Sequence, residues 1–343
     1  MTILITGGLG FIASHAAASL LQSGQELVLL DNLCNSQVSV HQKLEKLSGK
    51  KIPFYQGDVR DKELLKRIFS SHPISAVMHF AGLKSVAESV KDPVLYFDNN
   101  VGGTISLLEV MQEQGVYQFI FSSSATVYGV PEYLPYDEAH PTKPINPYGQ
   151  TKLQVEEILR DLVASDNRWA IACLRYFNPV GAHPSFLIGE LPNDQPNNLM
   201  PFMMQVASKQ RPFLTVFGND YDTADGTGER DYIHVMDLAE GHEKALALIA
   251  KTPGMHIINL GTGKPHSVLE MVKTFESATG EPVPLQFGPR RDGDLPVYYA
   301  SADKAKAVLE WQASRTLAQM CDSSWKFQVQ HLSSTDSKDS LTS

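Results

Sequence analysis

The chain has 343 residues, with 29 Lys and Arg against 38 Asp and Glu, a formal net charge of −9, and 43% hydrophobic and 20% charged residues. This is the composition of a globular protein large enough for one big core or for a large and a small lobe, and its acidic balance argues against a nucleic-acid or anionic-membrane partner. Three scattered cysteines, Cys34, Cys173 and Cys321, exclude a disulfide framework and a zinc-ligand spacing and suit a reducing cytosol, and no run of about 18 apolar residues marks a membrane span.

Residues 3–6 are predicted to form a buried strand, followed at once by Gly7, Gly8 and Gly10 and by a helix over residues 12–21. Such glycines serve a tight turn, close approach of the main chain to a pyrophosphate and tight helix-on-strand packing, and the free N–H groups of the helix start face the anion. Gly8, Gly10 and Ala13 fit the dinucleotide-binding spacing with alanine in the last place, and Gly7 gives an overlapping one. A glycine turn with no ligand is the bland alternative. Against it, the next predicted strand, residues 26–30, ends at Asp31, 21 residues after Gly10, where a carboxylate accepts from ribose hydroxyls and repels a 2′-phosphate. NAD rather than NADP is therefore the expected cofactor. The N-terminus passes into the first strand without a basic leader, so no signal peptide is expected.

A polar, partly helical segment (residues 32–51) leads to a third strand (52–55) and to Asp58, which either caps the following helix or contacts the cofactor. A fourth strand (76–80) runs into Ala81 and Gly82. Asp92 and Pro93 open a helix reaching about residue 115, with Asn99 and Asn100 in its first half. The fifth strand (118–121) ends in Ser122, Ser123 and Ser124, and after a proline-bearing loop a helix over residues 148–163 puts Tyr148 and Lys152 on one face. A sixth strand (169–174) completes an alternating pattern that indicates an α/β, Rossmann-type doubly wound parallel sheet.

Beyond Arg175 the pattern changes, and a smaller α/β C-terminal lobe is expected. It should hold a helix (202–209), a strand (214–217), a long loop (218–231), then helix (236–250), strand (256–260) and helix (268–279). Residues 332–343, rich in serine and threonine, read as a frayed tail. The expected division is 1–176, 177–330 with some segments returning to the first part, and a flexible 331–343.

An isolated Tyr and Lys four apart is usually a surface pair, but here it follows the serine-rich strand end. Bringing a tyrosine from its ordinary pKa of about 10 to about 7 needs roughly 4 kcal/mol. An ammonium at about 5 to 6 Å supplies roughly 3 kcal/mol at an effective dielectric near 20. An oxidised, positively charged nicotinamide adds to this in the same sense.

The stretches TGGLGFIA, FSSSATVYG, YGQTK and LRYFNPVGAHPS are similar to those of the extended short-chain dehydrogenase/reductases. With NNLMP, VFGNDY, GERDYIHVMDLA and PRRDGDLP, the chain resembles the UDP-glucose 4-epimerases over residues 2–330. The resemblance implies reversible inversion at sugar C4 of UDP-galactose and UDP-glucose through a 4-keto intermediate, with transient reduction of bound NAD. It implies Tyr148 as the base, Ser124 on the reacting oxygen, and Lys152 on the nicotinamide ribose and on the Tyr148 pKa. It assigns NAD to Gly7, Gly10, Phe11, Ile12, Asp31, Asn32, Asn35, Ser36, Asp58, Val59, Phe80, Lys84, Asn99 and Tyr176, besides Tyr148 and Lys152. The UDP-sugar falls to Ser124, Asn178, Asn198, Leu199, Phe217, Arg230, Arg291, Asp294 and Tyr298. Arginine forks suit a pyrophosphate, although an arginine in a loop is more often a solvated charge; Phe217 could as well fill core, and Asn178 could cap.

Bulk at Tyr298 is expected to favour plain hexoses over N-acetylated ones. The resemblance further implies a homodimer built on the helices near residues 94–114 and 148–164; the cysteines point to the cytoplasm, and metal use is not indicated. Departures are Ala13 in place of a third glycine and the turn Gly263–His266, whose shape the resemblance leaves open. The competing readings are a 4,6-dehydratase or uronate epimerase of the same superfamily, and a non-catalytic NAD or nucleotide-sugar sensor. A dehydratase needs an acid and a base beside the strand-end hydroxyl, where this chain has Ala125 and Thr126.

Overall fold

Strand β1 (Thr2–Thr6) is buried along its whole length, and a glycine turn leads from its carboxyl end into helix α1 (Phe11–Gln22). The computed structural model describes residues 1–192, 196, 198–291 and 293–339, with side chains described as far as residue 333. β2 (Glu26–Asp31), α2 (Ser39–Ser48), β3 (Phe54–Gln56), α3 (Lys62–Ser71) and β4 (Ile74–His79) follow. Next come α4 (Val86–Lys91), α5 (Pro93–Tyr96), a wider π-helical stretch Phe97–Gly102 and α6 (Gly103–Glu113). The single helix expected from residue 92 is thus widened by a π-helical stretch in its first half. Asn100 lies in the wide stretch, fastened sideways to both backbone groups of Leu83 and to Thr151.

β5 (Gln118–Ser124), α7 (Pro147–Ser165) and β6 (Ala170–Tyr176) come next, then β7 (Asn178–Val180), α8 (Leu199–Ala207), β8 (Leu214–Phe217), β9 (Glu229–His234), α9 (Val235–Ile249) and β10 (Gly254–Leu260). The last elements are β11 (Pro265–Ser267), α10 (Val268–Thr279), β12 (Leu285–Gly288), β13 (Val297–Tyr298), α11 (Asp303–Leu309) and α12 (Leu317–Asp339).

The main sheet has the order β3-β2-β1-β4-β5-β6-β10, all parallel. Helices cover both faces, so its inner strands are near-continuous apolar runs such as LVLL and AIACL. The chain builds outward from β1 to β3, returns, and builds the other way from β4. The reversal leaves a crevice outside the carboxyl ends of β1 and β4, the place where open parallel sheets bind ligands.

Two differences from the sequence reading follow from long-range pairing. The sheet has seven strands, not the six counted through residue 174, because β10 is among the segments that return to the first part and pairs along its length with β6, while α9 packs on α1. The loop expected through residue 231 gives way at Glu229 to β9, the centre of the smaller sheet, flanked by β11 and β13 and also pairing with β7. β8 and β12 form a separate parallel pair.

α12 is a third difference. Leu317, Met320, Cys321 and Phe327 are buried at helical spacing, the first three against the methionine-rich cluster of α8 and α10. The helix continues as far as Asp339 through the stretch expected to be frayed, because extending a formed helix is far easier than nucleating one. Residues 340–343 lie outside the described residues.

Candidate active site

The glycine turn closes the crevice from below. Gly7 has a φ of +64°, and a Cβ on it would stand 2.7 Å from the Ala81 nitrogen, at the end of β4. Only glycine lets the ends of β1 and β4 approach this closely. Gly10 is the N-cap of α1 and has no capping side chain, which leaves the first-turn N–H groups to an anion. Phe11 and Ile12 open that helix half-buried, and the Ala13 methyl packs in the main core, so the alanine departure is accommodated. This cradle fits a dinucleotide pyrophosphate.

Asp31 braces the same turn. One carboxylate oxygen accepts from Leu9 N at 2.9 Å, and the other from Leu33 N at 2.9 Å and Ser36 Oγ at 2.7 Å. Asn35 is exposed on that loop, and Asn32 reaches Asp58 at 3.4 Å. Asp58 does not cap α3; Asp61 does, accepting from Leu64 N. Asp58 is instead held by Arg60, whose guanidinium pulls its carboxyl down to about 2 and also pairs with Asp98. Val59 is buried beside it against Gly103. Phe80 and Tyr176 meet across His242: the imidazole lies 4.9 Å from the Phe80 ring and hydrogen-bonds the Tyr176 hydroxyl.

Asn146 caps α7 through Gly149 N at 2.8 Å, with Pro147 in the first turn, and this sets Tyr148 and Lys152 facing the end of β5. Gly149 is required there, since a Cβ would stand 2.8 Å from the Thr126 carbonyl. From the other side, Tyr148 N donates to the buried Ser89 Oγ of α4 at 3.1 Å. Lys152 is buried; its Nζ donates to Ser122 O at 2.7 Å and lies 4.9 Å from the Phe121 ring and 5.9 Å from that of Tyr148.

Burial sets the resting protonation of this pair. It pushes the Lys152 ammonium down to about 8, against the opposing field of Glu156, and it pushes the Tyr148 phenol up, partly offset by Ser124 beside it. In the chain alone, burial of the phenol thus outweighs the help that Ser124 gives its charged form. Ser124 accepts from Thr126 Oγ1 at 3.0 Å and stands opposite Tyr176 in the β5–β6 ladder. Gly82 lines the same corner, its missing side chain leaving Lys152 Nζ 3.8 Å from where a Cβ would be. Asn99 lies in the neighbouring π-helical stretch.

The smaller sheet gathers four of the remaining candidates, Asn178, Arg230, Asp294 and Tyr298. The β9–β13 register places Tyr298 beside Arg230, whose guanidinium lies 4.6 Å from the Tyr298 ring and pairs with Asp294. Tyr298 Oη donates to Asn178 Oδ1 at 2.8 Å. Arg291 stacks at 4.0 Å on Phe217, at the end of β8. Asn198 and Leu199 begin α8, and Lys84, which follows β4, comes to 3.8 Å from Glu190. The turn whose shape the sequence left open is held by Asp231, which is fully buried and accepts from Thr262 N, Gly263 N and Ala300 N.

Sequence reasoning missed three residues that hold candidates in place: Arg60 on Asp58, His242 on Tyr176, and Glu190 on Asn198 and Lys84. Among the described residues, no group of three or more His, Cys, Asp or Glu is arranged to hold a metal, and no helix is long and apolar enough to cross a membrane.

Residues 4–324 match the family described as GDP-mannose 4,6 dehydratase. The chain is 54% identical over 328 residues to a UDP-glucose 4-epimerase of Bacillus subtilis, covering 96% of this chain and 97% of that one. Its fold is similar to that of the UDP-glucose 4-epimerase of Stenotrophomonas maltophila, solved with NAD and formylated UDP-arabinopyranose, with a TM-score of 0.95, 48% identity, and 97% and 99% of the two chains covered. It is equally similar to that of Bifidobacterium longum, solved with NAD+ and UDP, with a TM-score of 0.94, 48% identity and the same coverage. On fold, site geometry and sequence together, the chain belongs to the UDP-glucose 4-epimerase family.

Proposed function

We propose that this protein interconverts UDP-galactose and UDP-glucose at sugar C4, with NAD as its resident cofactor. The observation that carries the reading is the convergence of Ser124, Tyr148 and Lys152 at the carboxyl end of β5, beside the glycine cradle. NAD, when bound, supplies an acceptor and donor of hydride at C4. Tyr148 takes the proton of the sugar 4-hydroxyl, Ser124 hydrogen-bonds the reacting oxygen, and Lys152 stabilises the phenolate. The resulting 4-keto sugar turns over in the pocket, and Tyr148 returns the proton to the oxygen on the other face. Gly7, Gly10, Phe11, Ile12, Asp31, Asn32, Asn35, Ser36, Asp58, Val59, Phe80, Lys84, Asn99 and Tyr176 hold the cofactor. Asn178, Asn198, Leu199, Phe217, Arg230, Arg291, Asp294 and Tyr298 hold the UDP-sugar, with the arginines on the diphosphate.

In this reading residues 1–176 with α9 and β10 form the cofactor part, and the smaller sheets with α8, α10 and α12 form the sugar-nucleotide lobe. Exposed Val86, Val90, Val94, Leu95 and Ile105 along α4 to α6 support a homodimer through that face. Three free cysteines, two of them buried, suit the cytoplasm. A dehydratase is disfavoured because Ala125 and Thr126 supply no carboxylate beside Ser124. Incubation with NAD and UDP-galactose tests the reading: UDP-glucose of unchanged mass is expected, and a product that has lost water would replace epimerisation with dehydration.

A further inference from the structure

Glu190 has no assigned role, yet one of its oxygens touches both halves of the site. Its carboxylate is 8% exposed, and Oε1 accepts from Asn198 Nδ2 at 2.6 Å while lying 3.8 Å from Lys84 Nζ. The turn that carries it is braced from behind. Ala182 pairs with Gly189, and a Cβ on Gly189 would stand 2.5 Å from the Phe327 ring of α12. Glu190 shares a small pocket with Met200, Met204 and Phe327. Burial raises its pKa, and Lys84 and Asn198 both oppose that rise.

We propose that Glu190 is a positioning residue that couples the cofactor site to the sugar-nucleotide site, orienting Lys84 and Asn198 through one shared carboxylate oxygen. The inference rests on the assignment of Lys84 to NAD and Asn198 to the UDP-sugar. A ligand that orders either arm also orders the carboxylate, so the second ligand loses less conformational freedom on binding. The coupling is therefore positive, and by linkage each ligand tightens the other by the same factor.

The test strips NAD from the purified protein and titrates it back by calorimetry with and without saturating UDP, with the reciprocal titration of UDP. It compares the parent with Glu190→Ala, Glu190→Gln, Lys84→Ala and Asn198→Ala. UDP is expected to tighten NAD by roughly five-fold or more in the parent. Glu190→Ala should bring that factor to within about two-fold of unity. Glu190→Gln, which keeps an acceptor for Asn198 without the charge facing Lys84, should hold UDP affinity within about two-fold of the parent while losing the coupling. A parent with no coupling, or a Glu190→Ala protein that keeps the parent's factor, overturns the proposal. NAD affinity unchanged in Lys84→Ala, or UDP affinity unchanged in Asn198→Ala, overturns instead the site assignment beneath it.

Discussion

Lys152 Nζ stands 5.9 Å from the centre of the Tyr148 ring and gives a hydrogen bond to Ser122 O, so the ammonium is aimed at the end of β5 and held one helical turn from the Tyr148 phenol. Because burial brings its pKa down to about 8, this charge is present below that pH and lost above it. kcat is expected to fall as pH rises beyond about 8, since a neutral lysine no longer stabilises the Tyr148 phenolate. Lys152→Met should lower kcat by roughly 10²- to 10⁴-fold. A pH–rate profile of both proteins checks this; a rate that stays flat or climbs through pH 9 would count against it.

Gly149→Ala places a methyl 2.8 Å from the Thr126 carbonyl, directly behind the start of α7. The helix must shift, taking Tyr148 with it, and a displacement of about 1 Å costs roughly 10²-fold in rate. The expected signature is a lowered kcat with UDP affinity near that of the parent, read from steady-state kinetics and a UDP titration.

Glu156 and Arg175 form a buried ion pair, with Nε to Oε1 at 3.0 Å and Ser123 Oγ on the same oxygen at 2.6 Å. The pair joins α7, β5 and β6, the elements that carry Tyr148, Ser124 and Tyr176. Glu156→Gln leaves the guanidinium without its counter-charge and should cost about 3–5 kcal/mol of folding stability. A urea melt measures it, and a loss below 1 kcal/mol would show the pair to be dispensable.

Asp31→Ala removes the acceptor for Leu9 N, Leu33 N and Ser36 Oγ as well as the carboxylate expected at the ribose. NAD should bind about ten-fold or more weakly, and the preference for NAD over NADP should shrink, because a repulsive charge has gone. Fluorescence titration with the two dinucleotides separates the two effects.

Tyr298→Ala removes the ring that Arg230 packs on and that hydrogen-bonds Asn178. In the proposed pose this opens room at the sugar 2-substituent, so turnover of UDP-N-acetylgalactosamine should rise relative to UDP-galactose. Equal losses on both substrates would place the sugar elsewhere.

The cofactor half of this account was legible because its signals are local. The turn from Gly7 to Gly10, Asp31 at the next strand end, and Tyr148 with Lys152 on one helix face are short-range patterns with a direct geometric meaning. What stayed hidden depends on residues far apart in sequence. β9 reads as a charged loop because Arg230 and Asp231 stand in it, and only Asp294, Thr262 and Ala300 make those charges compatible with burial. α12 is masked by its serines and charges, and its apolar face has meaning only against the methionines of α8 and α10. Glu190 and Arg60 gain their roles from partners brought to them by the fold. The Tyr148 pKa depends on groups the sequence does not place: in the chain alone, burial of the phenol pushes it up, and Ser124 opposes that rise.

The most direct test of the central claim compares the parent with Tyr148→Phe, each supplied with NAD and UDP-galactose, by chromatography of the nucleotide sugars over time. Interconversion by the parent is expected, with a loss of roughly 10²-fold or more in the variant while NAD and UDP remain bound. A variant that epimerises at the parent's rate would contradict Tyr148 as the base, and a parent that binds both ligands yet forms no UDP-glucose would contradict the function itself.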